Sequence, residues 1–230
     1  MALLLLHAFP LDSRMWGPQK SFNPITPDVL GIGPIDNAAD HVARLLDQRG
    51  LDRAVIGGLS RGGYVALAFA RRYPERLSAL VLCDTTAGVD DDEAKKGRYQ
   101  MAERLRHEGV AFLPGIMLPR LLADTTFRDR CELVEEVRNW ILAQDPNAIA
   151  AAAIGMAERE DSRPMLSAID VPVLAIAGQQ DSAHDATRSI AESVRMGQFV
   201  SIPSAGHLSN LEQPEKFNTA LQQFLQEHRL

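Results

Sequence analysis

The sequence predicts an α/β fold, a mostly parallel sheet of about six strands flanked by helices, and three observations predict it. Short apolar runs without polar alternation are bounded by turn residues, the pattern of strands covered on both faces. Helix-period segments alternate with these runs. The interval 88–164 holds helical patterns in succession and no convincing strand, which predicts a helical insertion after the fourth strand.

The first run, Leu3–Leu6, is a buried strand. With Ala2 it makes five apolar residues that lack a basic flank and break at His7-Ala8-Phe9-Pro10, too short for a signal peptide or a membrane span. The further candidates are Phe22–Thr26, Ala54–Ile56, Ala79–Leu82, Val173–Ala177 and Gln198–Ile202. Helical periods cover Asn37–Arg49, Ser60–Arg72, Ala183–Val194 and Pro214–Glu227, the second with a small face of Ala66, Ala68 and Ala70. Within the insertion the patterns fall near Glu93–Glu108, Phe127–Gln144 and Pro146–Glu158. The acidic run Asp90–Glu93 before the first of these is a solvated helix start, where carboxylates meet the positive end of the helix dipole. The expected organisation is a core of residues 1–87 and 165–230 with a helical lid over 88–164.

Composition bounds the function. The 230 residues are 46% hydrophobic, enough for a packed core without disulfides or metal. Against 30 acidic side chains stand 24 basic ones, and the net charge of −6 excludes a phosphate-backbone binder, so nucleic acid is not an expected partner. Cys83 and Cys131 form no Cys-x-x-Cys and sit beside no histidine cluster, so neither a disulfide framework nor a zinc site is indicated. The compartment reads as reducing and predicts a cytoplasmic protein. Gly31-Ile32-Gly33 is too short a match to a dinucleotide fingerprint, and no cofactor is expected.

The strongest local signal is Gly58-Leu59-Ser60-Arg61-Gly62-Gly63, a Gly-x-Ser-x-Gly between a strand and a helix. A serine there sits on a sharp turn, its hydroxyl held above the sheet beside amides at a helix N-terminus. Alone, Ser60 also reads as a helix cap. A nucleophilic serine needs a base, and the base an orienting group. Of six histidines, His41, His107, His184 and His228 fall in polar or surface patterns, and His7 ends the first strand. His207 lies between the last strand and the last helix, at the sheet edge where Ser60 should emerge, and is the candidate base. Asp181 follows the fifth strand at that same edge, where open α/β sheets bind ligands. Asp84, ending the fourth strand, is the rival acid or a turn carboxylate.

These stretches, with Pro27–Gly33, Leu80–Thr85, Gly178–Asp181 and Leu211-Glu212-Gln213-Pro214, resemble the α/β-hydrolase superfamily, in the branch of small esterases, cofactor-free haloperoxidases and 3-oxoadipate enol-lactonases. The resemblance implies Ser60 as nucleophile, Asp181 as acid and His207 as base, in that superfamily's chain order. It implies an oxyanion hole from the backbone N–H groups of Phe9 and Arg61, and a helical lid that sets substrate choice. Two departures stand out. Ala8 occupies a position where the family usually has glycine, and the chain begins at what is usually the third strand, so the leading pair is missing. The uncovered edge makes a homodimer an expectation. His7 is expected to bond loop backbone, and Arg61 either to meet an anionic substrate or to be exposed or lid-paired.

The expected function is hydrolysis of a carboxylic ester of a small hydrophobic molecule through an acyl-enzyme. Apolar lid residues such as Phe112, Met117, Leu118, Leu121 and Trp140 suggest the hydrophobic acyl group, although packing within the lid explains them equally well. The same triad serves lactone hydrolysis, peroxyacid formation and carbon–carbon bond hydrolysis, and the same pocket without chemistry would make a ligand receptor.

Overall fold

The computed structural model describes residues 1–230. Five strands, β1 (Ala2–Leu6), β2 (Ala54–Leu59), β3 (Leu77–Cys83), β4 (Val173–Gly178) and β5 (Gly197–Ile202), form one sheet in chain order. Every neighbouring pair is parallel, so each connection crosses back over the sheet and all five C-terminal ends share one rim. Each residue of β2, β3 and β4 is buried, as their unbroken apolar runs require, whereas the edge strand β5 is half exposed and carries Gln198 and Ser201.

Phe22–Thr26 is not the sixth strand. It touches the sheet through one parallel bridge, Leu4 to Ile25, with Leu5 N–H donating to Ile25 C=O at 2.9 Å and Ile25 N–H to Leu3 C=O at 2.8 Å. Pro24 and Pro27 flank that bridge and lack the N–H that would extend the ladder.

The core helices are α1 (Ile35–Gln48) and α2 (Arg61–Arg72), followed after the insertion by α8 (His184–Ser193), the short α9 (Ser209–Glu212) and α10 (Pro214–Glu227). In α1 the buried residues Ile35, Ala38, Ala39, Val42 and Leu46 recur at helical spacing. In α10, Pro214 occupies the first turn, where its missing N–H costs no hydrogen bond, and Phe217, Ala220, Leu221 and Phe224 face the core. No helix is long and apolar enough to cross a membrane.

Between β3 and β4 lie five further helices, α3 (Asp92–Glu108), α4 (Leu113–Leu121), α5 (Asp124–Asp129), α6 (Cys131–Leu142) and α7 (Pro146–Ala157). Asp91 caps α3 by accepting from Ala94 N–H at 2.8 Å, which accounts for the acidic run. The pattern Phe127–Gln144 divides at Arg130 into α5 and α6. Helix α4 carries Pro114, Gly115 and Pro119, which hide it from a propensity reading; burial of Leu113, Met117, Leu118 and Leu121 stabilises it instead. The two ends of the segment are tied by a buried ion pair, Arg159 Nη2 to Asp90 Oδ1 at 2.7 Å, and Arg159 also donates to Gly88 C=O.

A second tie joins the helical segment to the loop after β5. Glu212 is 3% exposed, and its Oε2 accepts from Ala123 N–H at 2.8 Å and Thr126 Oγ1 at 2.6 Å, while Oε1 accepts from Gly206 N–H at 2.8 Å. Leu208 N–H donates to Leu121 C=O at 3.0 Å alongside. Removing this carboxylate strands buried backbone donors on both sides of the junction. Glu212→Ala is expected to cost about 2–4 kcal/mol and to lower Tm by roughly 5–15 °C in calorimetry, with Glu212→Gln losing less because it keeps an acceptor. An unchanged Tm for the alanine variant would show that the junction is held elsewhere.

Candidate functional site

Ser60 stands between β2 and α2 with φ 56° and ψ −115°, a left-handed conformation that costs a non-glycine residue of order 1–3 kcal/mol. Its neighbours make the turn feasible. A Cβ on Gly58 would stand 2.1 Å from the Gly62 carbonyl, and one on Gly62 would stand 2.2 Å from Leu6 O and 3.0 Å from His7 O. Only glycine permits these contacts, and they press the first turn of α2 onto the end of β1. The strain is held from the β3 side: Ser60 N–H donates to Cys83 C=O at 2.9 Å, and Thr85 Oγ1 donates to Ser60 C=O at 2.8 Å.

The contact through Gly62 brings the loop after β1 beside the residue that follows Ser60. Phe9 and Arg61, the two expected amide donors, are 5% and 0% exposed. The loop is shaped by His7, whose Nε2 accepts from Val29 N–H at 2.9 Å and whose Nδ1 pairs with Ala8 C=O at 3.1 Å. Burial pushes the His7 pKa down to about 4, so the ring is neutral and Nδ1–H is the donor. Ala8 is fully buried and lies outside the left-handed region, so its Cβ fits where glycine is usual. Arg61 is neither exposed nor paired with the helical segment. Its guanidinium is wholly buried, donates through Nη2 to Ile32 C=O at 2.5 Å, and is pushed down to about 10 by burial.

At the same rim, Asp181 follows β4 and His207 follows β5. His207 Nδ1 is 2.9 Å from Asp181 Oδ1. Burial raises the Asp181 carboxyl, but the hydrogen bond and charge of His207 outweigh it and hold the group below its ordinary value. Burial likewise lowers His207, and the hydrogen bond and charge of Asp181 outweigh it and carry it above 6.5. The pair is therefore an ionised carboxylate accepting from Nδ1–H, which leaves Nε2 free to take a proton. An open groove lined by Pro119, Arg120, Leu122, Gln180 and Ser182 adjoins this pair.

Asp84 occupies the third position along the rim, at the end of β3, with φ 47° and no exposed surface. Its Oδ1 accepts from Gly178 N–H at 2.7 Å and its Oδ2 from Ser209 Oγ at 2.5 Å. One bond reaches the strand that delivers Asp181, and the other reaches the helix that follows His207. Spacing weighed Asp84 as a rival acid or a turn carboxylate, and the bonds that Ser209 makes to Asp84, Thr85 to Ser60 and Glu212 to Thr126 were not readable from it because they span 25 to 125 residues. Of the apolar side chains expected to line an acyl pocket, Met117, Leu118, Leu121 and Trp140 belong to the main core, and Arg104 stacks over the Phe112 ring at 3.8 Å. They are accounted for by packing.

The α/β hydrolase fold family model matches residues 2–214. The chain is 29% identical over 202 residues to a 3-oxoadipate enol-lactonase of Acinetobacter baylyi, covering 83% of this chain and 71% of the relative. It is 29% identical to a putative 2-succinyl-6-hydroxy-2,4-cyclohexadiene-1-carboxylate synthase of Bacillus subtilis over 97% of this chain and 90% of that one. Among solved structures, a thermophilic esterase of Thermogutta terrifontis with malate bound superposes with a TM-score of 0.95 at 41% identity, covering 100% of this chain and 91% of the other. An enol-lactonase of Burkholderia xenovorans superposes at 0.87 and 25%, covering 98% and 92%. With the strand-turn-helix around Ser60 and the shared rim in view, the chain belongs to the α/β-hydrolase fold family.

Proposed function

We propose that this protein is a serine hydrolase that cleaves a carboxylic ester of a small molecule through an acyl-enzyme. The observation that carries the reading is the Asp181–His207 hydrogen bond at the rim where Ser60 is held in its strained turn. His207 Nε2 takes the Ser60 proton as Oγ attacks the ester carbonyl carbon. The carbonyl oxygen becomes an oxyanion that accepts from the N–H groups of Phe9 and Arg61. As the tetrahedral centre collapses, the bond to the alkoxy oxygen breaks and imidazolium returns its proton to that oxygen, releasing an alcohol. Water then attacks the acyl-enzyme by the same route, freeing the acid and restoring Ser60. Asp181 keeps the imidazole in the Nδ1–H tautomer and offsets its positive charge.

The 41% identity to an esterase supports ester chemistry, and the relatives named as enol-lactonases make a cyclic ester the second reading, since a lactone presents the same bond. Helices α3–α7 form the lid in this reading: the tie from Glu212 to Ala123 and Thr126 fixes the α4–α5 junction next to the loop that carries His207.

A fluorophosphonate probe is expected to label Ser60 covalently, and Ser60→Ala is expected to lower hydrolysis of p-nitrophenyl acetate by at least about 10⁴-fold with an unchanged circular dichroism spectrum. Retained turnover in that variant, or tight reversible ligand binding without labelling, would refute the assignment. The pH profile is a separate test. His207 must be neutral to act as base and is held above 6.5, so kcat/KM should fall on the acid side with a midpoint above 6.5. Asp181→Asn removes the charge that raises His207 and leaves burial, which lowers it. Turnover should drop on the order of 10³–10⁴-fold and the acid limb should move to lower pH. An acid limb that stays in place would remove Asp181 from its role.

A further inference from the structure

Behind the Asp181–His207 pair the rim holds a second fully buried carboxyl that the mechanism above does not use. Asp84 directly follows the central strand β3, whose neighbours β2 and β4 deliver Ser60 and Asp181. Both of its oxygens are engaged, one by the backbone of Gly178 three residues before Asp181, the other by the hydroxyl of Ser209 two residues after His207. Asp181 is engaged on one side only. Its Oδ1 takes the imidazole, while Oδ2 is buried and accepts no hydrogen bond; the backbone N–H of Ala183 also faces this carboxylate. The carboxyl of Asp84 lies within hydrogen-bonding reach of the Asp181 carboxyl. Two carboxylates cannot accept from each other, so the contact is bonding only if one of them is protonated.

The charges around the pair decide which one. The ionisable groups that face Asp84 are Asp181 and His207, with Cys83 adjoining on its own strand and Glu212 acting on His207 from α9. Thr187 of α8 and Ser209 of α9 are neutral, and no lysine or arginine approaches. One imidazole can balance one carboxylate, and Asp181 holds the direct bond to it. A second ionised carboxylate in this dry site is uncompensated. Burial, with the Asp181 charge added, pushes Asp84 well above the usual carboxylate range.

We propose that Asp84 keeps its proton at neutral pH and donates it to Asp181 Oδ2, so that the two carboxyls present a single negative charge to His207. Asp84 is a positioning residue. Its proton satisfies the far side of Asp181, and its neutrality spares His207 a second anionic neighbour that would raise it further and leave it protonated at neutral pH. The inference deepens the serine-hydrolase reading and rests on it for the consequence in turnover.

The test compares the full-length protein with Asp84→Asn and Asp84→Ala. In infrared difference spectra at neutral pH, the wild type is expected to show the C=O stretch of a protonated carboxyl that Asp84→Asn lacks. Asparagine can accept from Gly178 N–H and donate to Asp181. Its kcat should stay within about threefold of wild type, and its acid limb within about 0.3 pH unit. Asp84→Ala removes the Asp84 donor from Asp181, and kcat is expected to fall about tenfold or more with KM nearly unchanged. The proposal is overturned if no carboxyl band is lost, or if Asp84→Asn moves the acid limb down by about one pH unit, the signature of a removed negative charge. It is overturned equally if Asp84→Ala turns over like wild type. Should the alanine variant fail to fold, the band and the asparagine profile still decide. The infrared arm needs no activity, so an unlabelled, inactive wild type would sink the hydrolase reading while leaving the shared proton to be judged separately.

Discussion

The close approach of α2 to the end of β1 is the constraint on which the rest of the site depends. A parallel strand that feeds a helix must turn sharply at the sheet's rim, and here the turn is so tight that Gly62 packs against the carbonyls of Leu6 and His7. Three consequences follow from this one contact. Ser60 is forced to positive φ with its side chain at the rim rather than in the core. The N-terminus of α2, with its unpaired amides, is set beside the loop after β1. That loop is then fixed in turn, since His7 is neutral and spends both ring nitrogens on backbone groups. The strain at Ser60 is tolerable because its backbone is held by two hydrogen bonds, one to Cys83 at the end of the fully buried β3 and one from Thr85 just beyond it.

Electrostatics at the rim follow from burial more than from the number of charges. Asp181, His207, Asp84 and Glu212 crowd one dry region, and each is displaced from its ordinary pKa by burial working with or against its neighbours. The outcome differs with the donors each receives. Asp181 gains an imidazole and stays ionised. Glu212 gains two backbone amides and a threonine hydroxyl, yet burial still leaves it above its usual range. Asp84 has one amide and one hydroxyl, and the Asp181 charge opposes it. Proton affinity therefore differs among three carboxyls of nearly identical intrinsic strength, set by which donors the loops happen to aim at them.

The sheet and its flanking helices were legible because their signals are local. Unbroken apolar runs mark β2, β3 and β4, the helical period marks α1 and α10, and a Gly-x-Ser-x-Gly between strand and helix needs only five residues to be read. What escaped was either overridden or non-local. Ile25 has strand-like neighbours but two flanking prolines, which confine it to a single bridge. Helix α4 forms despite two prolines and a glycine because its leucines reach the core. At the site, spacing put Asp181 and His207 at strand ends, which is a topological statement. The bonds of Asp84 to Gly178 and Ser209 cross 94 and 125 residues, and no window of sequence contains them.

The same non-local bonds divide labour between the sheet and the helices above it. Everything that sets the ionisation of His207 comes from the segments that follow β3, β4 and β5, a frame in which the donors are mostly backbone amides. The helical segment reaches that frame through Leu121, Ala123 and Thr126 around the α4–α5 junction and through Arg130 before α6, which donates to the carbonyls of Leu211 and Glu212. The rest of α4 and α6 packs largely on itself and the core. A change of side chain at Pro119 or Arg120 of α4 alters the wall of the groove without touching a hydrogen bond to Asp181 or His207. A change at the junction cannot do so, because Gly206, which precedes His207, shares the Glu212 carboxylate with Ala123 and Thr126. The shape of the groove is thus free to vary where the chemistry is insulated from it, and constrained where the two meet around Glu212.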